Sequence, residues 1–406
     1  MTTYLFQLGH NPELAQLELQ QFSLTGKQIS DSWLQLKQDI VEDEQTLVAL
    51  LPHLGGTVRI AKMIGSQIPR SGSLHDNAEA LRKQVATYIK EHCTSIEERK
   101  VSIGFSAFGK PKEQHFFTRL AHDIERDTNA RLVRNGKTLT LSTIDAAKLV
   151  AQKKGEIVLI STPTGFAMGI TIAVQDSKAY QQRDIGRPNV LKRTGLLSPK
   201  LAQSLINLAG GYKKIKVIVD PFSGSGTILQ EAALQGIKAY GIDIDPRTVK
   251  LAQENLQWLK KNYHPQFPQF SLANAVIKHG NATDANVYKS FSTTIDAIIT
   301  EGELGDNFSR VPDDFRLQKE TATLRTLYEK SFLAFAKALS PKGRAVVCFP
   351  FWIQYDETVR ARLFPLIEKT IKSLGFKHIR HGQEGTILYR RSNQFVGREI
   401  GVFEKV

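Results

Sequence analysis

The sequence predicts an α/β protein in two parts, an N-terminal α+β region followed by a C-terminal Rossmann-like sheet. Three observations carry that prediction. From Lys216 to Pro246 the chain reads KVIVDPFSGSGTILQEAALQGIKAYGIDIDP. This is strand, glycine turn, helix, strand and acid, the front half of a doubly wound nucleotide fold. After it, apolar runs alternate with amphipathic helical stretches and then close in short antiparallel strands. Before it, short helices and strands alternate as in a small α+β unit.

Taken in order, Tyr4-Leu-Phe-Gln-Leu reads as a strand, and Asn11-Pro12-Glu13 starts a helix running to Phe22, with Asn11 as cap. Thr46–Leu51 reads as a strand and Gly55-Gly56 as a turn into a further apolar segment. Ala78–His92 is a helix, Val101–Phe105 a strand and Phe116–Arg126 a helix. Ala130–Val133 and Thr138–Ser142 flank Asn135-Gly136, a hairpin signal. Ile144–Gln152 is helical, and Glu156–Ser161 with Phe166–Gln175 forms a second hairpin. Domain boundaries are expected at 60/61 and 182/183. Ser198-Pro199 caps a helix over Lys200–Ala209. Asp245-Pro246 starts a helix to about Lys261, and Ala275–Lys278 is a short strand. Ile295–Thr300 is the fourth strand of the sheet, and Glu320–Leu339 a helix. Ala345–Phe349 is the fifth strand, and Glu357–Leu374 a helix kinked at Pro365.

Length and composition bound the function. With 406 residues the chain can build two or three cores. Hydrophobic content of 41% and charged content of 23% are those of a soluble globular protein. Lys and Arg outnumber Asp and Glu by 54 to 40, giving +14, which favours a polyanionic partner through phosphate neutralisation. The two cysteines, Cys93 and Cys348, form no disulfide framework and no metal pattern, so a reducing cytoplasm and no metal are expected. No basic leader and no membrane-length apolar run is read, and a monomer is expected.

The chemistry sits in the glycine turn. Gly224 and Gly226 let the backbone approach a ligand closely, and the helix start behind them offers free N–H groups. Asp243, ending the second strand, can hydrogen-bond both hydroxyls of a ribose. The third glycine of the dinucleotide fingerprint is replaced by Leu229, which argues against a pyrophosphate. Asp220, just before the turn, would repel a phosphate and suits a ligand with a cationic end, such as the ammonium of S-adenosylmethionine (SAM). Asn281 and Asp284 are candidates for an adenine edge, with an ordinary Asx turn as the alternative. Arg183, Arg187, Lys192 and Arg193 lie within eleven residues and read either as phosphate contacts or as a charged linker.

These residues carry a family resemblance. Asp220-Pro-Phe-Ser-Gly-Ser-Gly-Thr resembles motif one of class I SAM-dependent methyltransferases acting on exocyclic amines, which adds Phe222 to the cofactor residues. Arg183-Asp-Ile-Gly-Arg-Pro, Gly195-Leu-Leu-Ser-Pro-Lys-Leu-Ala, Ile206-Asn-Leu-Ala, the opening Tyr4-Leu-Phe-Gln-Leu-Gly-His-Asn-Pro-Glu-Leu and the closing Gln394-Phe-Val-Gly-Arg-Glu-Ile are similar to THUMP-containing tRNA guanosine N2-methyltransferases. The resemblance implies a ferredoxin-like segment over 1–60, a THUMP-like RNA-binding domain over 61–182 and a class I methyltransferase domain over 183–406. It implies SAM as cofactor, tRNA as partner and the N2 of a guanine, at position ten, as target.

The family carries Asp-Pro-Pro-Tyr or a close variant after strand four, whereas this chain has Glu301-Gly302-Glu303-Leu304. In the family the acid and a proline carbonyl accept hydrogen bonds from the target amine, and the ring stacks on the base. A conjugated amine is a poor nucleophile and must be oriented in line with the methyl–sulfur bond. Glu301 keeps the acceptor and is the catalytic candidate; Phe308 and Phe351 are the candidates for the missing ring. Two other readings stay open: an RNA-binding relative without catalysis, and an adenine N6-methyltransferase.

Overall fold

The computed structural model describes residues 2–37, 43–70, 74–92, 101–128, 130–190, 197–262, 274–306, 308, 310–382, 384–391 and 394–406. The chain divides into two compact units, Met1–Ala179 and Tyr180–Val406.

In the first unit the strands are β1 (Thr3–Leu8), β2 (Lys27–Ser30), β3 (Trp33–Lys37), β4 (Thr57–Met63), β5 (Ile68–Pro69), β6 (Val101–Phe108), β7 (Ala130–Val133), β8 (Glu156–Thr162) and β9 (Gly165–Val174). They form one sheet in the order β2-β3-β1-β4-β9-β8-β6-β7, with β5 on β9. Its helices are α1 (Pro12–Gln21), α2 (Glu44–Leu50), α3 (Leu74–His92), α4 (Gln114–Asp127) and α5 (Thr143–Ala151). Asn11 caps α1 as expected, accepting from Leu14 N at 2.9 Å. A buried ion pair ties β4 to β8: Arg59 meets Glu156 at 2.5 Å, while the Ser106 and Thr171 hydroxyls donate to the same carboxylate. Those hydroxyls fill the remaining lone pairs, the condition under which a buried pair is tolerated.

Four features of this unit differ from the sequence pattern. Residues 60 and 61 both lie inside β4, so the sheet runs through the expected first boundary. The second division falls within α6 (Ser177–Ile185), three residues before the expected place. Residues 46–50 are helical in α2, because Asp43 accepts from Thr46 N at 2.6 Å and caps it. Asn135-Gly136 makes no hairpin. The Asn135 side chain closes its own turn by accepting from Lys137 N and Thr138 N, and β7 pairs with β6 in parallel.

The second unit contains α7 (Pro199–Leu208), α8 (Gly211–Lys214), β10 (Val217–Asp220), α9 (Thr227–Leu234), β11 (Lys238–Asp243), α10 (Pro246–Asn262), β12 (Ala275–His279), α11 (Ala285–Lys289) and β13 (Ile295–Thr300). It continues with α12 (Asp314–Ala338), β14 (Leu339–Ile353), β15 (Val359–Arg362), α13 (Phe364–Ser373), β16 (Phe376–Ile379), β17 (Ile387–Tyr389) and β18 (Val396–Lys405). The sheet order is β12-β11-β10-β13-β14-β18-β16, with β15 on β14 and β17 on β18. Strands β10 to β14 are parallel, and β18 runs antiparallel between β14 and β16. From β10 the chain winds outward to β12, then returns to β13 on the other side. That reversal opens a crevice at the C-terminal tips of β10 and β13.

One face is closed by α12 and α13 over a core of aromatic rings, Phe332 meeting Phe403 edge-on at 5.5 Å. Helix α12 starts at Asp314 rather than 320, capped by Asp313, which accepts from Arg316 N at 2.8 Å. Pro365 does not kink a long helix. It sits in the first turn of α13, where a missing N–H costs nothing, and β15 takes the residues before it.

Candidate active site

Four carboxylates meet at the crevice. A cavity of about 360 Å³ is lined by Asp220 on the tip of β10, Asp243 on the tip of β11, and Glu301 and Glu303 after β13. The turn 221–226 forms its floor, and Phe222 is the aromatic ring lining it among the described residues. Both predicted glycines have left-handed backbones, φ 49° at Gly224 and 83° at Gly226, which side chains disfavour. No described atom stands within 4 Å of where a Gly224 Cβ would point, so the turn borders open space on the ligand side.

The Leu229 exception has a structural reason. A Cβ on Gly241 in β11 would lie 2.7 Å from Leu229 Cδ1 and 2.9 Å from Ser223 Oγ. The small residue needed for close helix–strand packing has moved from the helix to the strand. Ser223 then fastens the turn to β11, its N–H and hydroxyl both donating to Ile242 O at 3.0 Å.

Asp220 is buried, and burial pushes its pKa up to about 7; Glu301 and Asp243 push the same way, while the Thr300 hydroxyl and Phe222 N–H pull back. Two buried cations of this unit are paired with other acids, Arg398 with Glu301 and Arg183 with Glu231. Asp243 accepts from Gly224 N at 3.0 Å and from Asp245 N at 2.9 Å, which locks the carboxylate against the turn. Burial raises its pKa too.

Glu301 is half of a charged pair. Its Oε1 accepts from Arg398 Nε at 2.6 Å, reaching over β14 from β18, and Arg398 is fully buried. Burial raises the Glu301 pKa and Arg398 draws it back, so the acid is held as an oriented acceptor. Gly302 has φ 70°, which proline cannot adopt, and a Cβ there would sit 2.2 Å from the Tyr328 hydroxyl. That hydroxyl lies 2.9 Å from Cys348 O and 3.0 Å from Glu303 O, sharing its proton between them. The departure from Asp-Pro-Pro-Tyr is therefore a differently built strand tip. Its aromatic support comes from α12, because the Tyr328 ring stacks with Phe222 at 6.4 Å and 22°. Neither sequence candidate supplies that ring: Phe308 and Phe351 do not line the cavity, and Phe351 packs on Gly397. Tyr328 could have been found only by knowing where α12 crosses the tip.

The remaining candidates separate into those at the cavity and those away from it. Asn281 lines the cavity, its Oδ1 accepting from Thr283 N and Oγ1 at 3.0 and 2.8 Å. Asp284 does not line it: its carboxylate caps α11, accepting from Asn286 N at 2.9 Å, so the Asx-turn alternative holds there. The phosphate contacts expected at Arg183 and Arg187 are corrected. Arg183 is buried with Glu231 of α9 at 2.7 Å, and Arg187 is buried with Nη1 donating to Thr227 Oγ1 at 2.8 Å. They clamp the entry segment onto the helix that follows the glycine turn and are out of a polyanion's reach. Lys192 and Arg193 lie outside the described residues.

The fold and this crevice point to the class of protein: residues 189–285, inside the second unit, match the family described as UPF0020, RMKL-like, methyltransferase domain. Within that class the chain is similar to proteins named tRNA (guanine(10)-N2)-dimethyltransferase. It is 30% identical over 184 residues to a tRNA (guanine(10)-N2)-dimethyltransferase of Pyrococcus abyssi, covering 45% of this chain and 47% of that one. A second, from Methanothermobacter thermautotrophicus, is 35% identical over 111 residues, 27% of this chain and 28% of its own. The match thus spans less than half the length of either relative. The crystal structure of TrmN from Thermus thermophilus aligns over 100% of both chains with a TM-score of 0.53 and 18% identity, a likeness of fold. No helix among the described residues is long and apolar enough to cross a membrane.

Proposed function

We propose that the chain is a SAM-dependent methyltransferase that methylates the exocyclic N2 of a guanine in tRNA, at position ten by analogy with the relatives so named. The observation that carries this is the oriented Glu301 carboxylate in the same cavity as Asp220 and Asp243. The cofactor fits the residues present: a glycine turn bordering open space, an acid at the ribose position, and a buried acid whose neighbours are other acids. When bound, SAM supplies an electrophilic methyl on a sulfonium.

In this reading Asp243 takes the ribose hydroxyls, Asp220 faces the cationic end, and Asn281 borders the adenine. The base is turned out of its stack and lies against Phe222. Glu301 accepts an N2–H, which aims the nitrogen lone pair at the methyl carbon and receives the proton as the N–C bond forms. Its Arg398 partner favours the ionised form against the burial that raises its pKa, and fixes the carboxylate in place. The first unit is the RNA-binding part, with ferredoxin-like and THUMP-like portions sharing one sheet, gripping mainly by shape and phosphate.

The test is labelled-methyl transfer to unmodified tRNA followed by nucleoside mass spectrometry. N2-methylguanosine is expected, and Glu301→Gln is expected to lower kcat at least about 100-fold, within the range for a general base, with SAM affinity within about twofold. N6-methyladenosine would give the site to adenine. No product, with SAM still bound, would leave a binding protein.

A further inference from the structure

With Arg183 and Arg187 buried, the +14 charge has to be located elsewhere. Met1–Ala179 holds 21 Lys and Arg against 19 Asp and Glu, a net +2; Tyr180–Val406 holds the remaining 33 against 21, a net +12. The excess lies almost wholly in the methyltransferase unit, and it is polarised along the strands.

At the cleft end four arginines are matched. Arg247 pairs with Asp245, Arg316 with Asp306, Arg360 with Asp314 and Arg390 with Glu357. The opposite end, where the parallel strands begin, is different. Lys213, Lys214 and Lys216 precede β10, Lys238 opens β11, and Lys342 lies at the start of β14; all five are exposed and none is in an ion pair with a described residue. Helices that return to this end close on Lys260-Lys261 in α10 and Lys337 in α12, also exposed. The helix ends explain those three, since cations there complement the helix dipole. They do not explain Lys216, Lys238 and Lys342 at strand starts, and α8, a single turn of four residues, has little dipole to offer Lys213 and Lys214 at its end. Of the acids there, Asp296 accepts from the N–H groups of Lys216 and Val217 at 2.9 Å and sets one negative charge against five lysines, while Glu404 is beside Arg344.

We propose that this base of the sheet is a second RNA-contact surface, which holds a helical part of the RNA by its phosphates while the cleft takes the target base. It rests on the reading of the partner as RNA and adds where the cations that hold it are. Lysine is a hydrated point charge without a planar fork, suited to a backbone and not to reading bases. The cleft is rich in carboxylates and repels phosphate, so attraction has to come from another face. The span fits one ligand: the 17 residues of α10 run from cleft to base, about 25 Å at 1.5 Å per residue.

The experiment measures binding of unmodified tRNA transcript to the full chain by fluorescence anisotropy across a salt series. Lys213→Gln, Lys214→Gln, Lys216→Gln and Lys238→Gln are combined in one variant. A matched control neutralises Lys289, Lys319, Lys330 and Lys369, exposed lysines of the same unit that do not belong to the base. The base variant is expected to bind at least about 10-fold more weakly. Its slope of log K against log salt is expected to be shallower by about 2 to 3.5, at up to about 0.9 for each phosphate no longer neutralised. The control is expected to stay within about twofold. Equal weakening in both variants, or none in either, overturns the surface. Salt-sensitive self-association of the wild type that the base variant abolishes, with RNA affinity unchanged, would assign the lysines to the cleft of a second copy and also overturn it. The readout does not need methyl transfer, so an inactive chain that binds RNA through its base would defeat the proposed function and leave this surface standing.

Discussion

Asp220 shows how one residue couples cofactor, pH and stability. Its folded pKa, about 7, lies above the ordinary carboxylate value. Between the two values the folded state holds a proton that the unfolded state has lost, so stability contributed by this group falls as pH rises from about 4 to 7. A bound cation would reverse the preference by favouring the ionised form, and binding would release a proton. SAM affinity is therefore expected to weaken as pH falls below about 7, approaching tenfold per unit, by isothermal titration calorimetry. Asp220→Asn should bind weakly with a flat pH profile. Without ligand, urea unfolding should find it more stable than wild type at pH 8 and equal at pH 4. The gain is at most about 4 kcal/mol, roughly three pKa units at about 1.36 each. Glu301 makes a different use of burial, since Arg398 at 2.6 Å supplies a counter-charge to it. The two acids differ by environment, not by residue type.

At the scale of elements, the glycine turn works because β11 and α9 approach closely. Gly241 makes room for Leu229 Cδ1 and Ser223 Oγ together, and Ser223 holds the turn through Ile242 O. Gly241→Ala is expected to destabilise the chain by about 1 to 3 kcal/mol through overpacking, read by urea unfolding. Loss of SAM affinity should accompany it, because the turn must move. Adding Leu229→Ala is expected to recover part of both losses, since the pair shares one space. The strand tip after β13 follows the same logic. Gly302 is required by the Tyr328 hydroxyl behind it, so the segment that breaks the family pattern is fixed by α12 and β14.

For the whole molecule, the division near residue 180 separates two sheets with separate cores. Differential scanning calorimetry should resolve two transitions, with SAM raising the midpoint of one, because a ligand stabilises only the cooperative unit that binds it. A single transition raised as a whole would show that the units unfold together. The charge division is unequal, +2 in the first unit against +12 in the second, so long-range attraction for any polyanion comes mainly from the second.

The sequence by itself determined the parallel sheet, the glycine turn and the strand-end positions of Asp220 and Asp243, while the role proposed for Glu301 came from the family resemblance. The first three follow from local patterns: strand period, left-handed glycines and an acid at a strand end. It also carried the caps at Asn11, Ser198 and Asp245, which act within a few residues. Tertiary structure alone decided what long-range partners do. By local pattern Arg183 and Arg187 are surface cations; the fold brings Glu231 and Thr227, some forty residues on, against them and buries both. The β-branched Thr46 favours a strand by itself, and the Asp43 cap with the packing of Leu47 and Leu50 makes it helical. Arg398 and Tyr328 have no local signature. Charge and ring chemistry become function only where a fold places them, and these two reach the site from a strand and a helix far along the chain.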